Sequence, residues 1–272
     1  MVDFENKPSY DVCDLKKIVD ILRSPGGCPW DFEQTHKSIR RNFIEEAYEA
    51  AEAIDTGDTA LLLEELGDVL MQVVFHADIE EKAGSFTLGD VADAACKKLI
   101  RRHPHVFGDK RVTDSGEVLL NWDIIKRGEK NQTTAAETLS SVARSLPALW
   151  RAEKVQIKAA KAGFDWPEVS GALDALRTEV SELENAIAEG EGVMGELGDV
   201  VFSAVNVARF CGVDPEDALG LSTDKFISRF EKVESAAGEM GQALEGMTLA
   251  EMDRLYNRAK LEEGRGGNRV GL

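Results

Sequence analysis

Glu46-Ala47-Tyr48-Glu49 and Glu65-Leu66-Gly67-Asp68 recur in the second half of the chain as Glu179-Val180-Ser181-Glu182 and Glu196-Leu197-Gly198-Asp199. Residues three apart lie about 60° apart around an α-helix, so each pair of acids projects from one helix face. Two helices that each offer a carboxylate pair describe a cage for a hard divalent cation, built once per half. Without a cation, two carboxylates ~4 Å apart repel by about 4 kcal/mol at an effective dielectric of 20, so a cluster of four is strained and takes up protons. Gly67 and Gly198 sit inside apolar-periodic stretches, where glycine costs roughly 1 kcal/mol against alanine. The expected compensation is that a missing side chain lets the partner helix come close enough for four carboxylates to share one ion.

For any single Glu-x-x-Glu in a chain with 50 acidic residues, an ordinary solvated helix face is the better reading. The repeat argues against it. Glu46 and Glu179 are 133 residues apart and Glu65 and Glu196 are 131 apart. The basic segment Lys98-Leu-Ile-Arg-Arg102 is answered by Lys225-Phe-Ile-Ser-Arg229 at an offset of 127, and Trp122 with Lys126 by Tyr256 with Lys260 at 134. A solvated face has no reason to repeat in that order.

Helical periodicity dominates and alternating strand patterns are scarce, so the predicted fold is all-α. Helices are expected at 12–22, after Thr35, from the cap Asp58 to about Gly84, at 88–102 up to Pro104, and at 115–129. In the second half they are expected near 141–161, 171–188, 192–210, 215–238 and 248–262. Ile39, Phe43, Ala47, Ala50 and Ile54 form the inner side of the helix that carries Glu46 and Glu49. The chain of 272 residues divides into a domain at 1–129, a polar aperiodic linker at 130–138, a domain at 139–263 and a frayed glycine-rich tail at 264–272.

A net charge of −18, with the basic residues dispersed among acids, argues against nucleic acid as a partner. No uninterrupted apolar run approaches the ~18 residues of a membrane span. Four cysteines without Cys-x-x-Cys spacing and an N-terminus without basic and apolar signal regions point to a reducing cytoplasm. The four histidines make no Glu-x-x-His pair at the acidic helices, which separates the chain from di-iron helical bundles. Two other classes remain open at this point: a metal-binding helical regulator without turnover, and, more weakly, a carboxylate-bridged di-iron protein.

The segments Gly-Cys-Pro-Trp-Asp (27–31), Glu-Glu-Ala-Tyr-Glu (45–49), Glu-Leu-Gly-Asp (65–68 and 196–199), Arg-Arg-His-Pro-His-Val-Phe (101–107), Arg-Ser-Leu-Pro-Ala-Leu (144–149) and Gly-Phe-Asp-Trp (163–166) extend the pattern over nearly the whole chain. In this order they resemble the tandem-domain MazG-type nucleoside triphosphate pyrophosphohydrolases. The resemblance implies two tandem helical bundles of the all-α NTP pyrophosphatase type, magnesium dependence with manganese as a substitute, and hydrolysis of nucleoside triphosphates to monophosphate and pyrophosphate. It also implies homo-oligomers, dimers or higher, whose helices pack across chains. The family motif Glu-Glu-x-x-Glu is intact at Glu45, Glu46 and Glu49, whereas Thr178 stands where the second half would carry its first acid.

On this reading Glu46, Glu49, Glu65 and Asp68 hold one ion, and Glu179, Glu182, Glu196 and Asp199 another, since magnesium takes oxygen ligands and bridges carboxylates to phosphates. Glu45 or a cage carboxylate, Glu46 or Glu179, orients or deprotonates the attacking water. Lys98, Arg102, Lys126, Lys225, Arg229 and Lys260 hold the remaining phosphate charge, although basic residues near a helix C-terminus also complement its dipole. Trp122 and Tyr256 are candidates to stack on a nucleobase, against the plainer role of core rings. Trp30 and Trp166 either close over a base or plug the bundle end. Because the second half keeps all four cage acids with Lys225, Arg229, Tyr256 and Lys260, turnover is expected at least there.

Overall fold

A computed structural model describes residues 4–129 and 132–266. Among them there is no strand, and thirteen α-helices and one 3₁₀ turn carry the chain. Contacts divide it into a first unit ending at Lys126 and a second beginning at Arg127.

The first unit contains α1 (Val12–Leu22), α2 (Pro29–Glu33), α3 (Arg40–Thr56), α4 (Thr59–Lys82), α5 (Leu88–Arg102), α6 (Pro104–Phe107) and the greater part of α7 (Ser115–Glu129). Asp11 starts α1 through a capping box with Asp14, satisfying N–H groups that have no partner inside the helix. Gly57 ends α3 at φ 69°, a left-handed conformation that favours glycine, and Asp58 then accepts from the backbone N–H groups of Ala60 and Leu61 to start α4. The resulting α3–α4 hairpin is the unit's most extensive helix pair. α1 packs against α4, and the core there consists of Val19, Ile39, Val74 and Phe75, flanked by Leu15, Ile79 and Leu88. Arg23 is buried and ties the unit together: its Nε donates to Asp78 at 2.7 Å, and its guanidinium carbon lies 4.5 Å from the Phe75 ring centre.

The second unit contains α8 (Ala135–Ser140), α9 (Ala148–Lys161), α10 (Val169–Glu189), α11 (Val193–Cys211), α12 (Pro215–Glu239) and α13 (Leu249–Gly266). α10 and α11 form the counterpart hairpin, with Gly190 and Gly192 both left-handed at φ 76° and 77°. Trp150 Nε1 donates to the carboxylate of Asp214, which also caps α12 and so fixes the start of α12 to α9. Val233, Ala236, Ala237 and Ala259 are buried on α12 and α13.

Several expectations need correction. The helix expected near 141–161 begins only at Ala148, because Pro147, with no N–H to donate, stands at the N-cap of α9. The polar stretch read as a linker contains α8, nucleated by a capping box between Thr134 and Glu137 despite its weak apolar periodicity. Residues 130 and 131 of that stretch, and 267–272 of the tail, lie outside the described residues. The inner stripe assigned to α3 is divided: Ile39 and Ala50 are buried, but Phe43 and Ala47 are exposed and Ile54 is 63% exposed. Gly67 and Gly198 do not serve close helix approach, since a Cβ at either would meet nothing within 4 Å. The buried alanines of the two hairpins are Ala50 and Ala53 on α3, Ala77 on α4, and Ala172 and Ala186 on α10.

Candidate active site

Glu49 and Glu65 lie eight residues before and after Gly57, and Glu46 and Asp68 lie eleven. Antiparallel helices rise at about 1.5 Å per residue in opposite senses from their turn, so these acids arrive at one level. Carboxylate oxygens of Glu46, Glu49 and Glu65 come within 4.8 Å of one another. Glu65 is buried and Glu46 half-buried, while Glu49 opens to solvent. Asp68 is outside that triplet but close enough for its charge to act on both Glu46 and Glu65. Burial first, then the charges of Asp68 and Glu49, push the Glu46 carboxyl above the usual carboxylate range. Burial first, then Glu49 and Asp68, does the same for Glu65.

The second hairpin repeats the arrangement, with oxygens of Glu179, Glu196 and Asp199 within 4.8 Å of one another. Here Glu182 is the fourth acid, outside the triplet, and after burial its charge is the main influence raising the Glu179 carboxyl. Both clusters are sets of hard oxygen donors, and within them Glu46, Glu65 and Glu179 resist ionising beside their neighbours. That is the condition in which a divalent cation with oxygen preference is bound most readily, so the residues present fit such an ion.

The other candidates are placed as follows. Glu45 projects away from the cluster into an ion pair with Arg41 at 2.7 Å, an exposed contact one helical turn long. Thr178, at the corresponding position of α10, returns its hydroxyl to the carbonyl of Asp174. Lys98, Lys225 and Lys260 are exposed, and Arg102 is half-buried. Lys126 Nζ sits 4.4 Å from the centre of the Trp122 ring, which His103 meets edge-on, and the buried indole N–H of Trp122 has no hydrogen-bond partner. Tyr256 packs against Phe226 with ring centres 5.7 Å apart, and the Arg229 guanidinium lies 5.7 Å from its ring centre. Trp30 and Trp166 are 61% and 48% exposed, so neither plugs its bundle in the single chain, although the Trp166 ring packs closely on Gly171.

Sequence reasoning missed two residues of the basic face. Glu263 accepts from Arg229 Nε at 2.9 Å and from Lys232 Nζ at 2.6 Å. Lys232 stands seven residues after Lys225 and three after Arg229, a helical spacing that would have included it.

Both hairpins fall inside segments that match a known family. The model of the MazG nucleotide pyrophosphohydrolase domain matches residues 34–107 and again 168–234. The chain belongs to the MazG nucleotide pyrophosphohydrolase family. It is 42% identical over 247 residues to the nucleoside triphosphate pyrophosphohydrolase/pyrophosphatase MazG of Thermotoga maritima, with 91% of this chain and 94% of that protein aligned. It is 39% identical over 254 residues to the nucleoside triphosphate pyrophosphohydrolase of Escherichia coli K12, covering 92% of this chain and 97% of that protein. An uncharacterized protein of Bacillus subtilis, YabN, is 46% identical over 259 residues, and there the chain spans about half the relative's length, 53%. The two MazG matches coincide with the two acidic hairpins, so both helical units carry the family's domain. No helix among the described residues is long and apolar enough to cross a membrane.

Proposed function

We propose that this chain is a divalent-cation-dependent nucleoside triphosphate pyrophosphohydrolase that releases nucleoside monophosphate and pyrophosphate, with magnesium as its ion and manganese able to replace it. The observation that carries the proposal is the doubled carboxylate cluster, each copy on an antiparallel hairpin inside a MazG domain. In the first unit Glu46, Glu49, Glu65 and Asp68 would hold the ion, and in the second Glu179, Glu182, Glu196 and Asp199. Bound there, a divalent cation neutralises charge between the acids and a triphosphate and polarises the scissile phosphate.

The chain's own residues do the rest. Glu46 and Glu179, carboxylates at the edge of the ion's site, are placed to accept a proton from an attacking water. Glu45, next to Glu46 in sequence, would orient that water in the first unit on releasing its ion pair with Arg41 and turning toward the cluster. Lys98, Arg102 and Lys126, and in the second unit Lys225, Arg229 and Lys260, take up phosphate charge. Trp122 and Tyr256 offer faces for a nucleobase, and stacking tolerates any base, which supports broad substrate choice.

The functional domains are 1–129 and 139–263. A homo-oligomer is supported by the apolar side chains that the hairpins leave open, including Leu63 at 77% exposure and Leu197 at 51% beside the exposed Gly67 and Gly198. The four free cysteines accord with work in a reducing cytoplasm. The deciding experiment assays all ribo- and deoxyribonucleoside triphosphates with magnesium on the intact chain, on Glu49→Gln and on Glu182→Gln. Pyrophosphate release from several substrates is expected. An intact chain that binds magnesium yet turns over none of them would leave a metal-binding protein without this activity.

A further inference from the structure

The basic face of the second unit contains an acid. α12 presents Lys225, Arg229 and Lys232 at helical spacing, α13 presents Tyr256, Lys260 and Glu263, and the two helices pack against each other. A carboxylate among groups assigned to an anionic substrate weakens their attraction for it, so its presence calls for a reason. The contacts supply one. Glu263 Oε2 accepts from Arg229 Nε at 2.9 Å while its other oxygen accepts from Lys232 Nζ at 2.6 Å. The bond to arginine runs through Nε, so Glu263 leaves open the end-on fork of the two terminal guanidinium nitrogens, an edge that can grip a phosphate bidentately. Tyr256 borders the same guanidinium with its ring centre 5.7 Å away, and the Arg229 side chain is only 14% exposed. Two long, rotamer-rich cations are thereby fixed in one place by one acid, and their ordering is completed before any ligand arrives. Lys232 and then Arg229 hold the Glu263 carboxyl below the usual range, so it stays ionised for this task in neutral solution.

The first half spells the same register. Glu129 precedes Glu263 by 134 residues, the offset that also relates Trp122 to Tyr256 and Lys126 to Lys260. Each half therefore carries an acid three residues after its lysine, which an incidental surface glutamate would not reproduce.

We propose that Glu263 is a positioning residue that aims Arg229, with Lys232 beside it, at the phosphates of the substrate. This rests on the reading of Arg229 as a phosphate-binding group given above. The test is steady-state kinetics on the full chain with a magnesium nucleoside triphosphate, comparing Glu263→Gln, Glu263→Asp, Arg229→Gln and the double variant Glu263→Gln/Arg229→Gln, with melting temperatures measured alongside. Glu263→Gln should raise KM about tenfold while kcat stays within about twofold, the pattern of lost binding shared by ground and transition states. Glu263→Asp, too short to span to Nε, should do the same and decides the matter if the glutamine variant fails to fold. In the Arg229→Gln background the glutamate change should add nothing further, because it acts through Arg229. If Arg229→Gln raises KM and the Glu263 variants do not, the positioning role is wrong and the phosphate site stands. If none of the variants moves KM, the phosphate site itself fails and the inference with it. A lower KM in Glu263→Gln would show the carboxylate competing with substrate and would also overturn the proposal.

Discussion

Glu46, Glu65 and Glu179 are the acids whose surroundings most resist ionisation, and the consequence for stability has a definite sign. A carboxyl whose folded pKa lies above its unfolded value binds more protons folded than unfolded. Its contribution is therefore complete below the ordinary carboxylate range and is lost as pH rises through the raised value. In the presence of a chelator, Glu46→Gln should consequently lose less melting temperature than the parent chain as pH rises from the ordinary carboxylate range toward neutrality. Equal losses in calorimetry would mean that the cluster is relaxed without its ion. At the same scale, Glu182→Gln should lower the second unit's share of turnover by roughly tenfold or more. Loss of turnover only in Glu49→Gln would move the working site to the first unit. The acidic positions were legible in the sequence because helix geometry alone places residues three apart on one face. The partner of Arg229 was not, because its ion pair with Glu263 joins positions 34 residues apart that only packing brings together, whereas the pair of Arg41 with Glu45 follows the four-residue spacing of one helix.

The hairpins are the functional elements, and their helices were legible because apolar periodicity and end signals agree: Asp58 caps α4, and Gly57 and Gly190 close the preceding helices in left-handed conformations. The short helices α2, α6 and α8 escaped because four to six residues cannot display a period. The glycines of the Glu-Leu-Gly-Asp segments were read toward the wrong neighbour. Within one chain nothing approaches Gly198, although glycine inside a helix costs roughly 1 kcal/mol against alanine, and a contact with a second copy of the chain is the explanation the proposed homo-oligomer offers. Gly198→Ala is expected to raise the helix's own stability and to weaken self-association in sedimentation. If the variant associates as tightly as the parent, the open side of α11 is not where copies meet.

Across the whole molecule, two MazG units each place four acids around a hairpin, and occupation of those clusters should be felt globally. Magnesium should stabilise the folded chain by mass action, by about 2.7 kcal/mol at a hundredfold excess over its dissociation constant, and so raise the melting temperature. The paired change Glu182→Gln with Asp199→Asn should remove the second unit's part of the titration heat. An unchanged titration would exclude the second cluster as a metal site. The central claim concerns which bond is cut, and chromatography of the first products formed from a nucleoside triphosphate and magnesium tests it most directly. Monophosphate and pyrophosphate appearing together in equal amounts is the expected result. Diphosphate and orthophosphate as the primary products would contradict it.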